Sequence, residues 1–94
     1  MDYSLANRKS AGMARGRNSA LVEAFGAVLL EARSSAGLSQ EELAFQADVD
    51  RTFVGLLENA KRQPSISVLF AMAGALGLAP ETLVERTRKK MAKR

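Results

Sequence analysis

An all-α fold of five short helices is predicted for this 94-residue chain, on three observations. Apolar residues recur at three- and four-residue steps along successive segments, the period of an amphipathic helix. The segments are separated by helix stops at Gly37, at the short corner around Asp48, at Pro64 and at Gly77. Nowhere do apolar and polar residues alternate as they would along a half-buried strand.

The first helix is predicted from Ser19 to Ser35, with Val22, Phe25, Leu29, Ala32 and Ala36 forming its core stripe. Gly37 stops it and Leu38 turns inward. Ser39 caps the second helix, and Glu42 three residues on completes a capping box. That helix turns Leu43, Ala44 and Ala47 to the core. The next apolar set, Val49, Val54 and Leu57, begins after only Ala47-Asp48-Val49-Asp50, too short for anything but a sharp turn. Asp50 caps the third helix, expected from Arg51 to about Asn59.

Helices this close need a small residue where they cross, and Ala44 supplies it. The outer face of the third helix is then free to carry Arg51, Thr52, Gly55 and Leu56. This is the layout of a helix-turn-helix, whose second helix lies in the major groove of DNA.

After a polar, basic loop ending at Pro64, Ser65 or Ser67 can cap a fourth helix, with Ile66 packing beneath its first turn. Leu69, Met72, Ala73 and Leu76 form its buried face, and Gly77 ends it. Pro80 opens a fifth helix at a first-turn position. Leu83 and Val84 anchor that helix before the basic run of residues 86–94. Residues 1–18 show no period and read as a flexible basic arm, either without structure or tracking phosphates or a minor groove. The expected organisation is therefore an arm at 1–18, a helical domain at 19–84 and a basic helix end at 85–94.

Composition narrows the chemistry. The chain has no Cys and no His, which removes disulfides, the usual zinc ligand sets, thiol nucleophiles and imidazole catalysis. Glu41 and Glu42 are adjacent on a helix and do not converge on a metal, so neither metal, cofactor nor enzyme is expected. No stretch reaches the roughly 18 apolar residues of a membrane span, and a cytoplasmic location without membrane or small-molecule partners is expected.

The net charge of +4 is uneven. Residues 1–18 carry Arg8, Lys9, Arg15 and Arg17 against Asp2, and residues 80–94 carry six basic residues against Glu81 and Glu85. Between them lie four basic and seven acidic residues, so the helical domain itself is mildly acidic. Attraction to DNA would then lean on the basic ends and depend steeply on salt.

Several stretches match a known family in order and spacing: Gly37-Leu38-Ser39-Gln40-Glu41-Glu42-Leu43-Ala44, Arg51-Thr52-Phe53-Val54, the run from Leu57-Glu58-Asn59 through Ala60-Lys61-Arg62-Gln63-Pro64-Ser65, and Ala75-Leu76-Gly77-Leu78. From Phe25 to Val84 the chain resembles the phage repressor and Cro-type helix-turn-helix regulators, the xenobiotic-response-element family. The resemblance implies that Arg51, Thr52 and Leu56 read bases, Leu56 being apolar where a polar reader is common. It implies that Gln40 bonds a phosphate or braces the third helix, and that Phe53 lies beside the DNA backbone or packs locally. Asn59, Lys61 and Arg62 would hold phosphate through backbone N–H groups and basic side chains, and Arg33 would form a structural ion pair with Glu58. Two positions depart from the family pattern, Asp48 and Ala60, which stand where Gly is preferred and positive φ is often required.

The function these readings imply is a sequence-specific transcriptional regulator, binding double-stranded DNA as a homodimer on a palindromic operator about 34 Å between half-site centres. Restriction–modification controllers, prophage repressors and antitoxin-type autorepressors share this size. The dimer surface is expected on the fifth helix and near Val68, Phe70 and Ala71, although Phe70 also suits the core. The competing reading is a protein-interaction module that keeps the fold without specific DNA readout, favoured by Gly55, Leu56 and the acidic middle.

Overall fold

The computed structural model describes residues 18–93. They form five helices: α1 (Ser19–Ser35), α2 (Gln40–Ala47), α3 (Arg51–Glu58), α4 (Ile66–Leu76) and α5 (Pro80–Ala92). No strand occurs among the described residues, and the all-α expectation holds. The arm expected at 1–18 lies outside them except for Asn18, whose side chain caps α1 by accepting from the Leu21 amide at 3.1 Å.

The helix ends follow from cap chemistry. Ser39 and Glu42 form a reciprocal capping box, with N–O distances of 2.8 and 3.0 Å. Asp50 accepts from the Thr52 amide at 3.1 Å, and Ser65, not Ser67, caps α4 through the Val68 amide.

The C-terminal ends of α1 to α4 share one closure. The amides of Leu38, Val49, Lys61 and Leu78 reach back to the carbonyls of Arg33, Ala44, Leu56 and Ala73 at 2.8–3.1 Å. The residue before each is left-handed: Gly37, Asp48, Ala60 and Gly77, with φ between 59° and 72°. The two non-glycine members are the two family departures, so the chain adopts the strained conformation there and does not rebuild the turn.

The core gathers Val28, Leu29, Leu43, Val54, Leu57, Met72 and Leu83, all nearly inaccessible. α1 lies between α3 and α5 and therefore buries a wide face, adding Ala24, Gly26 and Val28 to the predicted stripe. Ala36, assigned to that stripe, is exposed because α1 has already ended at Ser35. Ile66 is 70% exposed and Val84 52% exposed, against the expectation that both pack inward. With Met72, Ala73 and Leu83 already filling the core side, these two lie on the outward faces of α4 and α5. No single helix among the described residues is long and apolar enough to cross a membrane.

Candidate nucleic-acid interface

α2 and α3 are joined by the left-handed Asp48 (φ 59°, ψ 47°), with Val49 folded back onto the core. The inward side of α3 is fixed by Val54 and Leu57, each fully buried. Helical periodicity then places Arg51 and Thr52 in solvent at its first turn, with Gly55 and Leu56 half-buried along the same helix. Phe53 is half-buried and packs against the core, so packing accounts for much of its surface.

The orientation of α3 is set by a buried polar cluster at its far end. The Glu58 carboxylate is only 4% exposed, and it accepts from Arg33 Nε at 2.6 Å and Arg33 Nη2 at 3.1 Å, a two-pronged pair. Arg33 Nη1 donates to the Leu38 carbonyl at 2.8 Å, which ties the turn after α1 into the same cluster. The hydrogen bond to Glu58 and the charge opposite hold the Arg33 guanidinium above its already high ordinary pKa. Three helices are pinned together through one carboxylate.

Gln40 completes that cluster. Its Nε2 donates to Glu58 Oε1 at 2.9 Å, and its amide lies over Gly55, 3.9 Å from where a Cβ would stand. The side chain spans from the start of α2 to the end of α3. Of the two roles offered for Gln40, the brace is the contact present within the chain.

The loop that follows α3 carries Asn59, Lys61 and Arg62, all exposed. Several of their N–H groups bond within the chain. The Lys61 and Arg62 amides both point inward to the Leu56 carbonyl, at 2.8 and 3.3 Å. Asn59 Nδ2 donates to the Gly55 carbonyl at 2.9 Å. The N–H groups expected to meet phosphate are thus committed to closing α3, and the solvent-facing groups are the Lys61 and Arg62 side chains.

One residue that positions this interface escaped the sequence reading. A Cβ placed on Gly26 of α1 would stand 2.6 Å from the Leu57 carbonyl oxygen and 2.8 Å from that of Glu58. Only a residue without a side chain lets α3 approach α1 so closely. The available signal was a Gly in mid-helix, where it weakens the helix unless packing requires it.

A helix whose inner face is locked, whose outer face bears Arg51 and Thr52, and whose C-terminal end is flanked by Gln40, Lys61 and Arg62 defines a helix-turn-helix regulator. A family model described as Helix-turn-helix matches residues 29–83, and the chain belongs to this family, in its xenobiotic-response-element type. It is 35% identical over 54 residues to the control protein C.BamHI of Bacillus amyloliquefaciens, covering 57% of this chain and 67% of that protein. The restriction-modification controller C.AhdI of Aeromonas hydrophila has a similar structure, with a TM-score of 0.65 and 40% identity over 66% of this chain and 94% of that one. The controller C.Esp1396I, solved as a tetramer in complex with its natural 35 base-pair operator, matches with a TM-score of 0.71 at 25% identity, covering 77% of this chain and 95% of that one.

Proposed function

We propose that this chain is a sequence-specific transcriptional regulator of the restriction–modification controller type, acting as a homodimer on a pseudo-palindromic operator in the cytoplasm. It acts by binding and not by catalysis. The observation that carries this reading is the outward first turn of α3, where Arg51 and Thr52 stand exposed on a helix immobilised from behind. Arg51 grips guanine O6 and N7 with two hydrogen bonds, and Thr52 meets an adjacent base edge or a thymine methyl. Leu56 sits further along the helix, where it covers a thymine methyl. Gln40, Phe53, Asn59 and the side chains of Lys61 and Arg62 face the sugar-phosphate backbone and set register, not sequence preference. The ends at 1–18 and 85–94 add attraction that the acidic residues 19–79 lack. Kinship with C.BamHI and C.AhdI favours an autoregulatory controller over a prophage repressor or an antitoxin.

Selection of bound duplexes from a random pool tests this. The wild-type chain should enrich a two-fold symmetric motif with half-sites one helical turn, about 34 Å, apart. Arg51→Ala should remain folded and lose the motif. Equal enrichment of all duplexes by the wild-type chain would leave only the protein-interaction reading.

A further inference from the structure

Gly55 lies inside the eight-residue α3, where a glycine weakens a short helix. Nothing within the chain requires it. Its φ is not in the left-handed region, and a Cβ placed on it would meet only the Gln40 side-chain amide, at an ordinary 3.9 Å. Gly26, by contrast, is demanded by the approach of α3, and Gly74 falls in the last turn of α4, where little helix remains to weaken. Gly55 is instead placed to meet something outside the chain. It lies one turn beyond Arg51 and Thr52 and one turn before Asn59, on the side of α3 away from the buried Val54 and Leu57.

We infer that Gly55 determines specificity: its bare backbone is the floor of a notch that seats the C5-methyl group of a pyrimidine in the major groove. The inference rests on the DNA-reading function proposed above and deepens it. The walls come from neighbours at helical spacing. Thr52 and Leu56 are four residues apart and share a face, the first exposed and the second half-buried. Gln40 covers a third side. The floor carries no unmet acceptor, because the Gly55 carbonyl already receives the Asn59 amide and Asn59 Nδ2, both at 2.9 Å. A methyl group can therefore rest there without stranding a polar atom. Of the groups that base pairs show in the major groove, the C5-methyl is the apolar one, and it gains most from leaving water for such a notch. Thymine carries this group, and so does 5-methylcytosine.

The consequence concerns depth. A Cβ at residue 55 fills the notch without disturbing the chain, and so holds the groove edge away from α3. Arg51 and Thr52 then meet their base edges from further out, and hydrogen bonds weaken steeply when stretched. The loss reaches beyond one methyl contact. At this residue chain stability and DNA affinity oppose each other.

Thermal unfolding and binding titrations on the full chain test this, with Gly55→Ala and with base analogues placed in the DNA site that the wild-type chain selects. Gly55→Ala should raise Tm by about 4–8 °C, since α3 gains helix propensity without a clash. Its affinity for the selected site should fall at least about tenfold, the loss of one good base contact. On the wild-type chain, uracil in place of each thymine in turn removes the methyl group alone, and 5-methylcytosine in place of each cytosine adds it. At least one position in each half-site should respond by about fourfold, the worth of one buried methyl group. A loss with uracil assigns the notch to thymine, and a gain with 5-methylcytosine assigns it to the methylated base. That response should vanish in Gly55→Ala, where the notch is filled. A lowered Tm for Gly55→Ala, undiminished affinity, no responsive pyrimidine, or a response that persists in Gly55→Ala each overturns the inference and leaves the regulator reading intact. A wild-type chain that selects no site overturns both.

Discussion

Gly26 of α1 lies against the Leu57 carbonyl of α3 so closely that a single methyl group would stand 2.6 Å from that oxygen. The obstacle is backbone, which cannot rotate aside as a flexible side chain would. Gly26→Ala pits two effects against each other. Helix propensity favours Ala by about 1 kcal/mol, while overpacking costs about 1–3 kcal/mol. The contact is short enough that overpacking wins, and α3 must move outward. Thermal unfolding should show a lower Tm for Gly26→Ala; a rise would mean the helices do not approach as described.

Glu58→Ala removes the acceptor shared by Arg33 and Gln40 and leaves a guanidinium only 14% exposed without its carboxylate. Breaking one side of a buried pair costs about 3–5 kcal/mol, and the partial exposure of Arg33 places this variant near the lower figure. For a domain of this size a 3 kcal/mol loss lowers Tm by more than about 10 °C. An unchanged melting temperature would defeat the scaffold role of the pair.

Ala60 is held at φ 60° and Asp48 at φ 59°, at the closing turns of α3 and α2. A non-glycine residue in this region costs on the order of 1 kcal/mol, less for Asp than for Ala. Ala60→Gly should therefore stabilise the chain by up to about 1 kcal/mol, with Asp48→Gly giving a smaller gain. Urea unfolding reads this as a shift in midpoint at constant slope, and a destabilised Ala60→Gly would contradict the strain.

Arg51→Ala and Lys61→Ala should separate the two kinds of DNA contact. Arg51→Ala should cost about 1–3 kcal/mol on the preferred site and relax preference at one base position. Lys61→Ala should weaken all duplexes alike and reduce the salt dependence by about one phosphate's worth. Titration by fluorescence anisotropy over a range of salt distinguishes them; matched effects from both variants would remove the assignment of roles.

Helix boundaries were legible because they are written in single residues with local chemistry. Ser39, Asp50 and Ser65 each accept an amide two or three residues on, whereas Asn18, read as the last residue of the arm, turned out to cap α1 in the same way. Pro80 and the left-handed Gly37 and Gly77 mark further limits. The outward face of α3 was legible for the same reason, since Val54 and Leu57 fix the phase of an eight-residue helix. Gly26 was not legible, because periodicity reports which face is apolar and not how near another backbone comes. Ile66 and Val84 were misplaced because apolar character alone does not separate a core-facing side of a helix from an outward one. The inward turn of the Lys61 and Arg62 amides was also hidden, since it follows from how Ala60 closes α3 and not from loop composition.

The most direct test of the account is nuclease footprinting on the DNA immediately upstream of this protein's own reading frame, at low and at moderate salt. The account predicts a two-fold symmetric protected site, with protection that fades steeply as salt rises and vanishes for Arg51→Ala. Absence of protection at low salt, or protection identical for wild type and Arg51→Ala, would contradict it.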